Sequence, residues 1–89
     1  MNVKERIEEL IDLLEEAKIE DSNKEELINI LNEALDSENK ENIIDKLEEF
    51  IYELEKSNID EKLKTEIRYE AEELMDYLEE ANEINNNII

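Results

Sequence analysis

Four stretches of this chain repeat one ten-residue pattern, and that pattern permits little other than a set of amphipathic helices. Residues 8–17 read EELIDLLEEA and residues 72–81 read EELMDYLEEA, identical at eight of ten positions. Residues 25–34, EELINILNEA, match the first copy at seven positions, and residues 48–57, EEFIYELEKS, form a weaker copy. Each copy sets its apolar residues three and four apart, which brings them onto one side of a helix. The recurrence reads as convergence of four segments on one pattern, with tandem duplication as the alternative.

The stripes extend beyond the decapeptides. The first segment carries Val3, Ile7, Leu10, Leu14 and Ala17, broadened by Ile11 and Leu13; the second carries Leu27, Ile28, Leu31, Ala34 and Leu35. The third carries Ile43, Ile44, Leu47, Phe50, Ile51 and Leu54, and the fourth Leu63, Ile67, Ala71, Leu74, Leu78 and Ala81. Four such faces can share one core when short connections force antiparallel neighbours.

The chain has neither glycine nor proline, so helix ends must come from caps. Asn2 with Glu5 and Ser22 with Glu25 fit the capping box, in which a side-chain oxygen takes an orphan N–H. Ser37 or Asn39 can start the third helix, and Asn58 or Asp60 the fourth. The spacing predicts helices over 3–18, 23–36, 40–57 and 60–83, a single domain over 1–84 and a frayed tail over 85–89. The expected fold is a small antiparallel four-helix bundle. The alternatives are a three-helix chain fusing the middle segments across Asp36–Asn39, and helical hairpins that form a dimeric bundle.

Absences narrow the chemistry. With no histidine or cysteine, the serine–histidine and cysteine–histidine nucleophile pairs, zinc sites built on those residues and the Glu-x-x-His di-iron motif are excluded. Only carboxylate–magnesium chemistry remains, and it needs several carboxylates converging from different helices. Residues 72–78, Glu-Glu-Leu-Met-Asp-Tyr-Leu, resemble the Glu-x-x-Asp stretch of the all-α nucleotide pyrophosphohydrolases of the MazG type, and residues 8–12 resemble their Glu-Glu-x-x-Glu stretch. Asp12 departs from that pattern, and Glu73 and Asp76 lie opposite the Leu74 and Leu78 stripe, facing water rather than a pocket. The expectation is therefore no enzyme, no cofactor, no metal site and no catalytic residue.

What remains is charge. Twenty-nine aspartates and glutamates stand against ten lysines and arginines, for a net charge of −19. Solubility of a small domain needs a magnitude of only about 2 to 8, and the surplus opposes compaction. Repulsion argues against direct binding to nucleic acid or to an anionic membrane. The expected partner is a basic protein surface, such as that of a nuclease or of a CRISPR or restriction effector. Residues 1–6 carry no long apolar run, so no signal peptide or membrane span is expected and the expected compartment is the cytosol, that of the host cell if the gene is phage-encoded.

In size, charge and helicity the chain resembles the small acidic phage proteins that inhibit host defence enzymes, the DNA-mimic anti-restriction and anti-CRISPR inhibitors. The resemblance is one of type and is carried by composition. It implies inhibition by polyanion mimicry or cleft occlusion, with no catalytic residues. From Tyr69 onward the chain holds seven acidic residues and no basic one. Tyr69, Glu72, Glu73, Asp76, Glu80 and Glu83 fall on the outer side of the last helix and, with Tyr52 on the third, form the expected binding surface. The alternatives are an immunity protein that neutralises a toxin or bacteriocin, and a helical interaction module without inhibitory role, either monomeric or a homodimer.

Overall fold

The computed structural model describes residues 2–17 and 21–88; at 21, 22 and 81–88 it describes the backbone alone. The chain is an all-α four-helix bundle of α1 (Val3–Glu16), α2 (Asp21–Asp36), α3 (Lys40–Lys56) and α4 (Glu61–Ile88). Each helix packs against the next, and α4 returns against α1, so the helices form a closed ring around one core. One chain thus encloses the core by itself, and α2 and α3 are separate helices rather than a fused one.

The caps explain most of the boundaries. Asn2 Oδ1 accepts from the Glu5 N–H at 3.3 Å, and Asn39 Oδ1 accepts from the Glu41 N–H at 2.8 Å, which settles the choice at the start of α3. At α4 the capping residue is Asp60, whose Oδ2 accepts from the Leu63 N–H at 3.4 Å. Helix α1 ends at Glu16, with Ala17 as an extended C-cap, short of the expected 18; α3 ends at Lys56 and α4 starts at Glu61, each one residue off, and the start of α2 and the end of α4 depart further. Helix α2 already begins at Asp21, so Ser22 lies in its first turn rather than at the N-cap, and its side chain is outside the described residues. The backbone of α4 stays helical to Ile88, past the expected end at 83, because asparagines are weak helix formers without being breakers.

The core follows the stripes. Ile7, Leu10, Leu14, Leu27, Leu31, Ala34, Ile43, Leu47, Phe50, Leu54, Ile67, Ala71, Leu74 and Leu78 are all buried. Two core residues escaped the periodicity: Ile30, which faces the α2–α3 seam, and Ile59, a connection residue tucked under the bundle between α3 and α4. Val3, Ile11, Leu13, Ile28, Leu35, Ile44, Ile51, Leu63 and Met75 flank the core, partly buried.

A shift of 40 residues brings the α1–α2 sequence into register with that of α3–α4. The buried pairs Ile7/Leu47, Leu10/Phe50, Leu14/Leu54, Leu27/Ile67, Leu31/Ala71 and Ala34/Leu74 occupy equivalent places. The two hairpins are also closed by the same device. Lys24 Nζ donates to the Glu15 carbonyl at 2.8 Å, and forty residues on, Lys64 Nζ donates to the Glu55 carbonyl at 3.3 Å. In both, an ammonium from the second helix caps the carbonyl end of the first, where the helix dipole favours a cation. Beyond the apolar stripe, the two hairpins therefore share this cross-link at positions forty residues apart.

Lys64 is the more deeply placed of the two, buried at 6% exposure, and it also donates to the Ser57 carbonyl at 3.0 Å and lies 3.6 Å from Glu61 Oε1. A buried ammonium is tolerated only with such partners. Lys64→Met keeps the stem and leaves the carbonyls of Glu55, in the last turn of α3, and of its C-cap Ser57 short of a donor; charge-assisted bonds of this kind are worth about 1.5–3 kcal/mol. The expected result is a loss of that size in urea-monitored stability, with an unchanged slope; Lys24→Met, at the equivalent place, should show a smaller loss of the same sign.

Candidate binding surface

The outer side of α4 is where the sequence places its carboxylates, and the helix holds them as a continuous strip. Tyr69, Glu72, Glu73, Asp76 and Glu80 are all exposed, on the side opposite Ile67, Ala71, Leu74 and Leu78. Glu83 belongs to the same register, but its side chain lies outside the described residues. Tyr69 is 65% exposed and Tyr52 62%, more than the large hydrophobic side chains elsewhere among the described residues, and both are open to a partner.

The structure separates the two tyrosines into different surroundings. Tyr52 carries the Lys56 ammonium 4.8 Å above its ring, and Lys56 also lies 3.8 Å from Glu53. That arrangement already occupies one face of the ring with a cation. Between the outer faces of α3 and α4 runs the Glu55–Arg68–Glu72 chain: Arg68 hydrogen-bonds Glu55 across the seam and lies 3.5 Å from Glu72 on its own helix. Glu72 is therefore partly engaged within the fold, whereas no ion pair among the described residues involves Glu73, Asp76 or Glu80. Tyr69 groups instead with Leu13 of α1 and with Thr65, Glu66 and Glu70, which together line a groove of about 450 Å³ between α1 and α4. Sequence reasoning missed this groove because it requires knowing that α1 and α4 are neighbours.

The basic residues do internal work. Lys46 of α3 reaches Glu33 of α2 at 3.1 Å and Glu49 at 3.4 Å, and the hydrogen bond to Glu33 holds its ammonium above the ordinary lysine pKa. Arg68 is likewise shifted upward by its hydrogen bond to Glu55. Arg6 pairs with Glu9 at 3.6 Å, and Lys24 and Lys64 hold the hairpin ends. Each exposed pair is worth little energetically. Their effect on the surface is larger, because cations spent on seams leave the outer strip of α4 to carboxylates.

Among the described residues no three carboxylates come together as a group able to hold a metal ion. Glu8, Glu9 and Asp12 on α1, and Glu72, Glu73 and Asp76 on α4, are exposed to solvent. In the same residues no helix is long and apolar enough to cross a membrane. No protein family, curated protein or solved structure matches the chain, so a reading of its function stands on this surface alone.

Proposed function

We propose that this chain is an acidic helical binding protein that inhibits a nucleic-acid-binding or defence effector by occupying its basic surface in place of a polyanion. One observation carries the reading: an exposed carboxylate strip on α4 in which Glu73, Asp76 and Glu80 enter no ion pair among the described residues, on a bundle that turns Lys24, Lys46, Lys64 and Arg68 to its own seams. A duplex presents about one charge per 1.7 Å, so a length equal to the bundle's 47 Å long axis carries on the order of 28 charges. The chain's −19 is of the same order. A folded rod of this kind competes for a cationic channel without offering bases, and its association is electrostatically steered and salt-sensitive. Its action on this reading is steric and electrostatic and uses no catalytic group.

The test is affinity capture on the immobilised chain at low and high salt, followed by identification of what is retained. The expected result is a basic nucleic-acid-binding protein that duplex DNA or RNA displaces and that is lost at high salt. Capture indifferent to both competitor and salt would reject polyanion mimicry. A partner that is a toxin unresponsive to nucleic acid would favour the immunity reading.

A further inference from the structure

The twofold repetition of the hairpin makes the α4–α1 seam the counterpart of the α2–α3 seam, and the two are finished differently. In the α2–α3 seam Ile30 is buried and Lys46 bridges to Glu33 across the helices. The counterpart of Ile30, forty residues on, is Glu70, only partly buried, and the counterpart of Lys46, forty residues back, is Arg6, which pairs with Glu9 of its own helix. Lysines or arginines join α1 to α2, α2 to α3 and α3 to α4; among the described residues no ion pair joins α1 to α4. The seam stays open as the groove of Leu13, Thr65, Glu66, Tyr69 and Glu70. Through Leu13 and Glu70 it is continuous with a second hollow lined by Glu9, Asp12 and Glu16. Arg6 of α1 and Lys64 and Arg68 of α4, the nearest basic residues along the two helices, stand outside both linings, and Lys64 and Arg68 are turned to the α3 side by their bonds to Ser57 and Glu55.

From this we infer that the α1–α4 groove is a docking site for a helical segment of a basic protein, one that seats a large apolar side chain between Leu13 and Tyr69 and directs lysines or arginines at the surrounding carboxylates. Charge complementarity selects this occupant. Five carboxylates, Glu9, Asp12, Glu16, Glu66 and Glu70, surround an apolar floor, and the lining itself supplies no cation. A partner's basic side chain would do at this seam what Lys46 does at its counterpart. Tyrosine is suited to anchoring such an interface, since its ring adds apolar area at little entropic cost and its hydroxyl remains able to hydrogen-bond. The inference deepens the proposed function by adding an apolar component that a bare phosphate mimic does not need.

The probe is a synthetic amphipathic peptide of leucine and arginine, about 14 residues or four helical turns long, with a control peptide in which alanine replaces leucine at equal charge. Titration into the labelled protein, followed by amide chemical shifts, is expected to perturb Leu13, Thr65, Tyr69 and Glu70 first, with the control peptide binding roughly 10-fold more weakly. Glu70→Ile restores the isoleucine of the counterpart seam. It should keep the protein folded and weaken the leucine peptide by roughly 10-fold, while the charge-matched Glu48→Gln on exposed α3 changes affinity less than about 3-fold. Equal binding of the two peptides, equal effects of the two substitutions, or a footprint around Ile11 and Leu35 in the α1–α2 groove would overturn the docking site and leave the broader reading standing. Failure of the chain to bind either peptide or any basic protein would remove that reading as well.

Discussion

Leu74→Asp is expected to abolish the cooperative fold. Leu74 is 2% exposed, on the helix face that meets the shared core. Truncating a buried leucine alone costs about 2–5 kcal/mol, and an unpaired buried carboxylate adds several kcal/mol more. A chain of 89 residues has only about 4–13 kcal/mol of net stability at the usual 0.05–0.15 kcal/mol per residue. The penalty is thus as large as the whole reserve. Circular dichroism should show loss of helicity for Leu74→Asp and for Leu10→Asp, whereas Leu74→Ala should remain folded with a midpoint lowered by about 4–8 °C for each kcal/mol lost. A well-folded Leu74→Asp protein would mean that the helices do not share the core described above.

Reversing the charge at Glu73, Asp76 and Glu80 together should have the opposite pattern, sparing the fold and removing the function. All three are exposed and lie on one side of α4. An exposed attractive pair is worth about 0.2–1 kcal/mol, and reversal replaces attraction with repulsion. Three reversals at roughly 1 kcal/mol each therefore weaken binding to a cationic partner on the order of 100-fold. Because the substitutions also relieve repulsion within a strongly acidic chain, the thermal midpoint should hold or rise. Competition binding against the partner recovered at low salt, read beside circular dichroism, checks both halves. Unchanged affinity would remove the α4 strip from the interface, and an unfolded variant would mean that these carboxylates hold the structure together.

The helices were legible because local rules suffice for them. Asn2, Asn39 and Asp60 are among the cap residues the sequence offered, and fourteen of the stripe positions are buried in a chain with no glycine or proline to interrupt them. Ile59 was hidden because a connection has no period to read. The lysine cross-links escaped for another reason: a bond from Lys64 to carbonyls of the preceding helix depends on how closely the hairpin turns, which neither stripe encodes. The outer strip of α4 could be drawn from helical spacing, yet that spacing does not show that Tyr52, with the Lys56 ammonium over its ring, sits in surroundings different from those of Tyr69 at the α1–α4 groove. The groove at Leu13 and Tyr69 required the ring closure of α4 on α1, a relation between the two ends of the chain.

The hairpin plan also sets how the chain acquires its shape. Three of the four seams join consecutive helices across brief connections, so most native contacts form between segments close in sequence. Chains with such low contact order cross their folding barrier in microseconds to milliseconds. The absence of proline removes the slow isomerisation that delays many proteins by tens of seconds. Only the return of α4 to α1 demands a long loop closure, and its entropy falls due after both hairpins are in place. The fold is therefore reached without a slow step, and the α4–α1 seam is the one contact in the ring that joins helices distant in sequence.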